Sequence, residues 1–370
     1  MNKNVLITPS PYTTLLYFLV NDLQAIHNTA YFFVRYRKWP QEEITKTREL
    51  LPQSYFLKEP KITIRFRKHA LLQKLYTALQ LSTKRAVPYM LLRMTKNLRW
   101  PFLKNAEIFC YDNYSTAKAL IGNREYTYLE EGLFTYENAD IYAGRASFAR
   151  RLQIFLDAPF AVRGLGVTQQ AKRVILTGLA EIPKCYMNKN LDVVSMPELW
   201  KKSPAEKKAF IMKFFDFSPE DADTISRKDI ILVDQPLADD GLITQDEQAE
   251  MMRRIIERYG ADRVLLKTHY RNSMNYRKIF PDVFVWDKLT PMELLTLCGA
   301  AFSEAVTVNS TAVLSFPEDV NIAWLGRSPE DECFAHFSPA SRRLFDGFVN
   351  RIPLPERIKA QDRKKDDTKC

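Results

Sequence analysis

Short apolar runs alternate with helix-length amphipathic stretches in both halves of this chain, which limits it to a layered α/β fold with largely parallel sheets. In the first half the runs are Val5 to Thr8, Tyr31 to Val34, Ile62 to Phe66, Ala106 to Tyr111 and Tyr126 to Leu129. Helical stretches fall between them at Tyr12 to Ile26, Glu42 to Leu51, Leu71 to Leu81 and Ser115 to Leu120. In the second half the runs are Asp229 to Val233, Arg263 to Leu266, Val283 to Val285, Ala305 to Val308 and Ile322 to Trp324. Their helices are Gln245 to Tyr259, Pro291 to Leu297 and Ser341 to Asn350. The pattern predicts two Rossmann-type domains, residues 1–160 and 229–335, with the active site in the cleft between them. Residues 161–228 are expected to connect them, 336–355 to form a closing helix, and 356–370 to be a charged, disordered tail. Basic, aromatic Phe148 to Phe155 and polar Pro204 to Phe215 are read as helices.

One stretch concentrates the chemistry. Val264-Leu265-Leu266 reads as a buried strand that stops at Lys267, His269 and Arg271. Their spacing of two puts all three on one face of an extended chain. A strand that delivers such groups at its carboxyl end suits an anionic ligand in an open α/β sheet. Lys and Arg hold phosphate, and His can hand it a proton near neutral pH. A solvated basic loop is the competing reading.

Composition narrows the class of function. Of the 370 residues 46% are apolar, enough for two sizeable cores, and the net charge of +10 points to an acidic partner. There are 11 glycines and no glycine-rich phosphate loop. The five cysteines, Cys110, Cys185, Cys298, Cys333 and Cys370, are scattered with no C-x-x-C pair, so they suggest neither a zinc site nor a disulfide framework. Four histidines, likewise scattered, offer no metal cluster. The basic start is followed by Pro9 and Pro11 without a small-residue cleavage site, and Thr13 to Val20 is too short to span a bilayer. The protein is read as cytoplasmic.

Three further constellations sit at predicted strand ends. Glu130-Glu131-Gly132 offers a carboxylate for taking a proton from a hydroxyl, and Gly132 permits a sharp turn. Adjacent acids point to opposite sides of an extended chain, so only one faces a given site. The strand Ile230 to Val233 runs into Asp234-Gln235-Pro236-Leu237-Ala238-Asp239-Asp240-Gly241, where Asp239 or Asp240 is an alternative base. At Asn309-Ser310-Thr311 a strand meets a predicted helix start, whose hydroxyls and N–H groups would seat a phosphate. Ordinary turn and capping chemistry competes with each of these readings.

In that order the motifs resemble bacterial glycosyltransferase family 52, which contains the lipooligosaccharide and capsule sialyltransferases. The resemblance runs from Asn4 to about Trp324 and is strongest at Tyr128 to Tyr136, Ile231 to Gly241, Leu266 to Arg271 with Tyr276 and Phe280-Pro281, and Asn309 to Val313. It implies a GT-B-like fold with an acceptor-side first domain and a nucleotide-sugar-binding second. It also implies metal-independent, inverting transfer from CMP-sialic acid to a galactose-type or sialyl acceptor, with no cofactor. By that resemblance Glu131, or Glu130, matches the acidic-Gly motif. His269 matches the His-Pro histidine, and Ser310 and Thr311 match the hydroxyls that hold the donor phosphate. Gln235 and Pro236 join Lys267 and Arg271 in the expected donor-binding set. One departure stands out: Lys-Pro-His-Pro-Arg reads here Lys267-Thr268-His269-Tyr270-Arg271, without either proline.

The expected partners are a CMP-sugar donor and a glycan acceptor, which can be lipid-linked. The basic clusters Arg35 to Lys38, Lys61 to Lys68 and Arg93 to Arg99 suggest peripheral contact with the anionic inner membrane. A homodimer is an open assembly. Another nucleotide sugar as donor is the nearest alternative. A nucleic-acid-binding protein is the alternative from a different class, disfavoured because the positive residues are dispersed and no nucleic-acid module is visible.

Overall fold

A computed structural model describes residues 3–34, 39–57, 92–144, 164–269, 271–328, 330–350 and 358. The predicted strand at 62–66, the helices at 71–81 and 148–155, Tyr270, and all of the tail but Ile358 lie outside them. The chain divides into two compact units, Met1–Phe214 and Phe215–Cys370.

The first unit is built on a sheet of seven strands: β1 (Asn4–Thr8), β2 (Ala30–Phe33), β3 (Ser54–Phe56), β4 (Glu107–Cys110), β5 (Tyr126–Leu129), β6 (Ala171–Leu176) and β7 (Asn190–Val193). Their order is β3-β2-β1-β4-β5-β6-β7, and every pairing is parallel. Strands covered on both faces need apolar side chains on both, and Val5, Leu6 and Ile7 are fully buried. Behind β1, Ser10 caps the helix Pro11–Val20: its hydroxyl accepts the Thr13 N–H at 3.3 Å. Phe18 on that helix meets Phe210 and Phe214 edge-on, with centroids 5.6 and 5.0 Å away.

The residues expected to connect two domains do more than that. Residues 161–228 supply β6 and β7 to the first sheet, then the helices Met196–Lys202, Ala205–Phe214 and Pro219–Ser226. The first unit therefore continues to Phe214. β6 carries Lys172 and Arg173 at its second and third positions and β7 is a partly exposed edge strand, so neither reads as an apolar run.

The second unit carries β8 (Ile230–Val233), β9 (Val264–Lys267), β10 (Phe284–Trp286), β11 (Glu304–Thr307) and β12 (Asn321–Trp324), all parallel in the order β10-β9-β8-β11-β12. The helix Gln245–Tyr259 starts at a capping box of Thr244 and Glu247 and stops at Gly260, whose φ is +89°. Its inner face, Met251, Met252, Ile255 and Ile256, is buried in the core of this unit. The closing helix, Pro339–Val349, buries Phe345 against Phe334 and Phe337, so it is part of the same core. The segment after Ser310 corrects one expectation: it is a single 3-10 turn, Thr311–Ser315, and not an α-helix. Phe316 follows it in extended conformation, with Pro317 next in sequence, which leaves room for one turn only.

Candidate active site

In each unit the chain leaves its first strand for neighbours on opposite sides, β2 and β4 beside β1, and β9 and β11 beside β8. Polar loops gather at the carboxyl ends of strands around such a switch point. The residues singled out from the sequence fall at these ends.

In the second unit three adjacent strand ends converge. Asp234 and Gln235 follow β8, Thr268 and His269 follow β9, and Asn309 and Ser310 lie two and three residues beyond β11. Gln235 bridges the switch point, its Nε2 donating to the Asn309 carbonyl at 2.6 Å. The Gln235 Oε1 and the Asn309 Nδ2 are both buried without a hydrogen-bond partner. Pro236 is buried beside them. The Ser310 N–H donates to the Thr307 hydroxyl at 2.9 Å, which in turn donates to the Val233 carbonyl at 3.2 Å, so Ser310 is fixed to the first strand through two bonds. Thr311 opens the 3-10 turn.

The 269–272 turn is closed by the Asn272 N–H, which donates to the His269 carbonyl at 2.8 Å. The Arg271 N–H donates to the His269 Nδ1 at 3.1 Å. A ring nitrogen that accepts carries no proton, so the neutral imidazole keeps its proton on Nε2. Arg271 grips Asp240 through both oxygens, and Asp239 accepts the Ser273 N–H at 2.8 Å. The two acids weighed as bases thus brace the turn. Lys267, though at the strand end, is only 8% exposed. Its ammonium donates to the carbonyls of Thr268 at 3.2 Å and Lys288 at 3.1 Å. Burial brings its pKa down to about 8, against the pull of Asp287, Asp234 and Glu293.

Sequence reasoning gave no role to Asp234, Gln248, Asn272 or Tyr276, yet they form the polar core behind this turn. Gln248 is fully buried; its Oε1 accepts the Ala238 N–H at 2.7 Å and its Nε2 reaches the Tyr276 hydroxyl at 2.7 Å. Asp234 takes hydrogen bonds from all of the others and from the His269 N–H. Burial raises its pKa to about 6. The available signal was its place immediately after four buried aliphatic residues, where an Asp cannot reach solvent easily.

In the first unit the acidic pair splits as strand geometry requires. Glu130 is fully buried, and its carboxylate accepts from the hydroxyls of Tyr12, Tyr136 and Thr177 and from the Thr177 N–H. Burial raises its pKa, opposed by those bonds. Glu131 is half-buried and accepts from the Tyr114 hydroxyl at 3.4 Å. Gly132 turns the chain at φ +72°, a conformation costly for other residues. Asp112, two residues past β4, is buried and accepts the Tyr126 hydroxyl and the Gly166 N–H. Among the described residues no group of three or more His, Cys, Asp or Glu could hold a metal ion.

The family model for glycosyltransferase family 52 matches residues 108–325. An uncharacterized protein of Haemophilus influenzae is 31% identical over 160 residues, 43% of this chain and 52% of that protein. The chain thus spans about half the length of this curated relative. Among solved structures, a 2,6-sialyltransferase of a Photobacterium species, in a complex with the donor product CMP and the acceptor substrate lactose, superposes with a TM-score of 0.52. It is 10% identical, covering 86% of this chain and 70% of that one. An alpha/beta-galactoside alpha-2,3-sialyltransferase of Photobacterium phosphoreum has a TM-score of 0.49 at 12% identity, covering 87% and 90%. The fold is α/β and GT-B-like, with a Rossmann-type sheet in each unit.

Proposed function

The chain belongs to glycosyltransferase family 52, and from that membership we propose that it is an inverting, metal-independent sialyltransferase. Its donor is CMP-sialic acid. Its acceptor is a galactose-type or sialyl end of a bacterial surface glycan, lipooligosaccharide, O-antigen or capsule.

The observation that carries this reading is the state of His269. Its Nδ1 accepts the Arg271 N–H at a strand end beside the switch point, so Nε2 carries the ring proton and is the nitrogen that hydrogen-bonds a leaving phosphate. In the proposed reaction Glu131 takes the proton of the acceptor hydroxyl, whose oxygen bonds to the anomeric carbon as the bond from that carbon to the phosphate oxygen breaks. His269 donates its Nε2–H as a hydrogen bond to the departing CMP phosphate, stabilising the charge that develops there. Ser310 and Thr311 hold the phosphate, with Gln235 and Pro236 lining the donor side. Lys267 contributes its charge from beneath the strand end, and Arg271 supports the turn through Asp240. Asp239 and Asp240 are the alternative bases, but both are engaged in bracing that turn.

Peripheral contact with an anionic membrane is part of the same reading. Residues 92–99 form a helix on which Met94 and Leu98, four apart, are 68% and 82% exposed. Arg93 and Arg99 flank them. The clusters Arg35 to Lys38 and Lys61 to Lys68 lie outside the described residues. Among those described, no helix is long and apolar enough to cross a membrane.

The test is transfer from CMP-sialic acid to a galactose-terminated oligosaccharide, followed by NMR with and without EDTA. The expected product has the anomeric configuration opposite to that of the donor and forms equally fast in chelator. A retained configuration, or activity that depends on added metal, would contradict the proposal.

A further inference from the structure

The stretch from Lys267 to Asn272 contains no proline, so its shape must come from hydrogen bonds. Two of them, from the two ends of the 269–272 turn, lead to one buried side chain. Asp234 is 1% exposed, and its two oxygens divide their partners in a particular way. Oδ1 accepts from Gln248 Nε2 at 3.2 Å and from the Tyr276 hydroxyl at 3.1 Å. Gln248 belongs to the long helix and Tyr276 opens the helix Tyr276–Ile279, so this oxygen is anchored to the scaffold. Oδ2 accepts from the His269 N–H at 3.2 Å and from Asn272 Nδ2, the two ends of the turn.

The identity of the residue follows from the count of donors. Four donors converge on two oxygens, and an ionised carboxylate is the side chain of this size that only accepts. An Asn in its place would turn an NH2 group toward one pair of donors. Among the described residues no cation is hydrogen-bonded to Asp234, so its charge is held at a desolvation cost that these bonds offset. A group kept buried and charged behind the residue that handles the phosphate has a use that packing alone would not require.

We propose that Asp234 is the positioning residue for His269: one oxygen is fixed to the scaffold, and the other holds both ends of the turn that aims the imidazole. The inference rests on the role given to His269 above. Asp234 is buried and acts through the turn, not on the donor or the acceptor. It sets the His269 backbone, from which the ring follows, and the Arg271 N–H that fixes the ring tautomer belongs to the same turn.

The experiment is Asp234→Asn, with transfer kinetics and the 15N spectrum of the His269 ring in the CMP-free protein. Positioning predicts a kcat lower by about 100-fold, the scale of a misaimed catalytic group, with KM for the donor within about threefold. It also predicts that the ring changes from a single Nε2–H tautomer to a mixture. The exchange Asp234→Asn with Asn272→Asp returns a carboxylate to the same pair and should recover part of kcat. If Asp234→Asn fails to fold, Asn272→Ala cuts one of the two ties and should show the same pattern at smaller size. A wild-type kcat with an unchanged ring spectrum would overturn the proposal, as would a loss carried wholly by KM. The spectrum needs no substrate. If the wild type transfers no sialic acid, the proposed function fails, while the response of the ring still decides the positioning.

Discussion

Arg271 holds Asp240 in a two-point ion pair, with Nη1 2.7 Å from Oδ1 and Nη2 3.1 Å from Oδ2. Both side chains are about a third exposed, at 34% and 39%, so the pair contributes only ~0.2–1 kcal/mol to stability. Its significance is chemical. Both oxygens of Asp240 are taken up by the guanidinium of the 269–272 turn, so work on an acceptor hydroxyl would have to break that brace.

The two candidate bases can therefore be separated. Glu131→Gln is expected to lower kcat by about 10²- to 10⁴-fold, the usual size of a general-base contribution. Asp240→Asn should lower it by less than about tenfold and cost under ~1 kcal/mol in urea unfolding. Steady-state kinetics with saturating donor decides. Near-normal turnover by the Glu131 variant and an inactive Asp240 variant would move the base to the second unit.

Glu130 has a different fate in store from its neighbour. From the end of β5 it ties the helix Pro11–Val20, through Tyr12, to the end of β6, through Thr177. Glu130→Ala leaves four donors facing a hole and should cost about 3 kcal/mol or more. Urea denaturation measures this. A loss below ~1 kcal/mol would show that these donors find water instead.

The raised pKa of Asp234 gives stability a definite pH dependence. Its folded value is about 6, and an unfolded Asp titrates near about 3.9, so between these values the folded state binds more protons. The stabilisation is fully present below the unfolded value and is lost as pH rises through about 6. Relative to Asp234→Asn, the wild type should lose about 2 kcal/mol between pH 4 and pH 7. Paired urea titrations across that range check the slope. A flat difference would place the carboxylate in a far more polar setting.

The exposed Met94 and Leu98 predict binding to anionic vesicles. Sedimentation with phosphatidylglycerol vesicles should pull down the wild type at low salt and release it at high salt. Met94→Glu with Leu98→Glu should lower the bound fraction at least about fivefold, while solution transfer to a free oligosaccharide stays unchanged. Equal binding by both proteins would remove this helix from the membrane contact.

The sequence made most strands legible because parallel strands buried on both faces spell continuous apolar runs, as Val5 to Ile7 and Ile230 to Val233 do. It hid those that lack such runs: β3 has three residues, β6 has two cations in its first half, and β7 lies at an edge. Candidate site residues stood out where polarity breaks an apolar run, as at Glu130, Lys267 and Asn309. What each does was not. Tyr12 meets Glu130 across 118 residues, and Asp234 meets Asn272 across 38. Such pairings depend on tertiary register and leave no local spacing. The same gap explains why Lys267 reads as a phosphate ligand in sequence yet donates to two backbone carbonyls in the fold.

The most direct test of the account is the donor itself. Purified protein would be titrated calorimetrically with CMP-sialic acid, UDP-glucose, UDP-galactose and UDP-N-acetylglucosamine in EDTA, and each mixture followed for slow hydrolysis. The account predicts that CMP-sialic acid alone binds and is hydrolysed, and that His269→Ala still binds it but hydrolyses it far more slowly. Preferential binding of a UDP-sugar, or His269→Ala hydrolysing CMP-sialic acid at the wild-type rate, would contradict it.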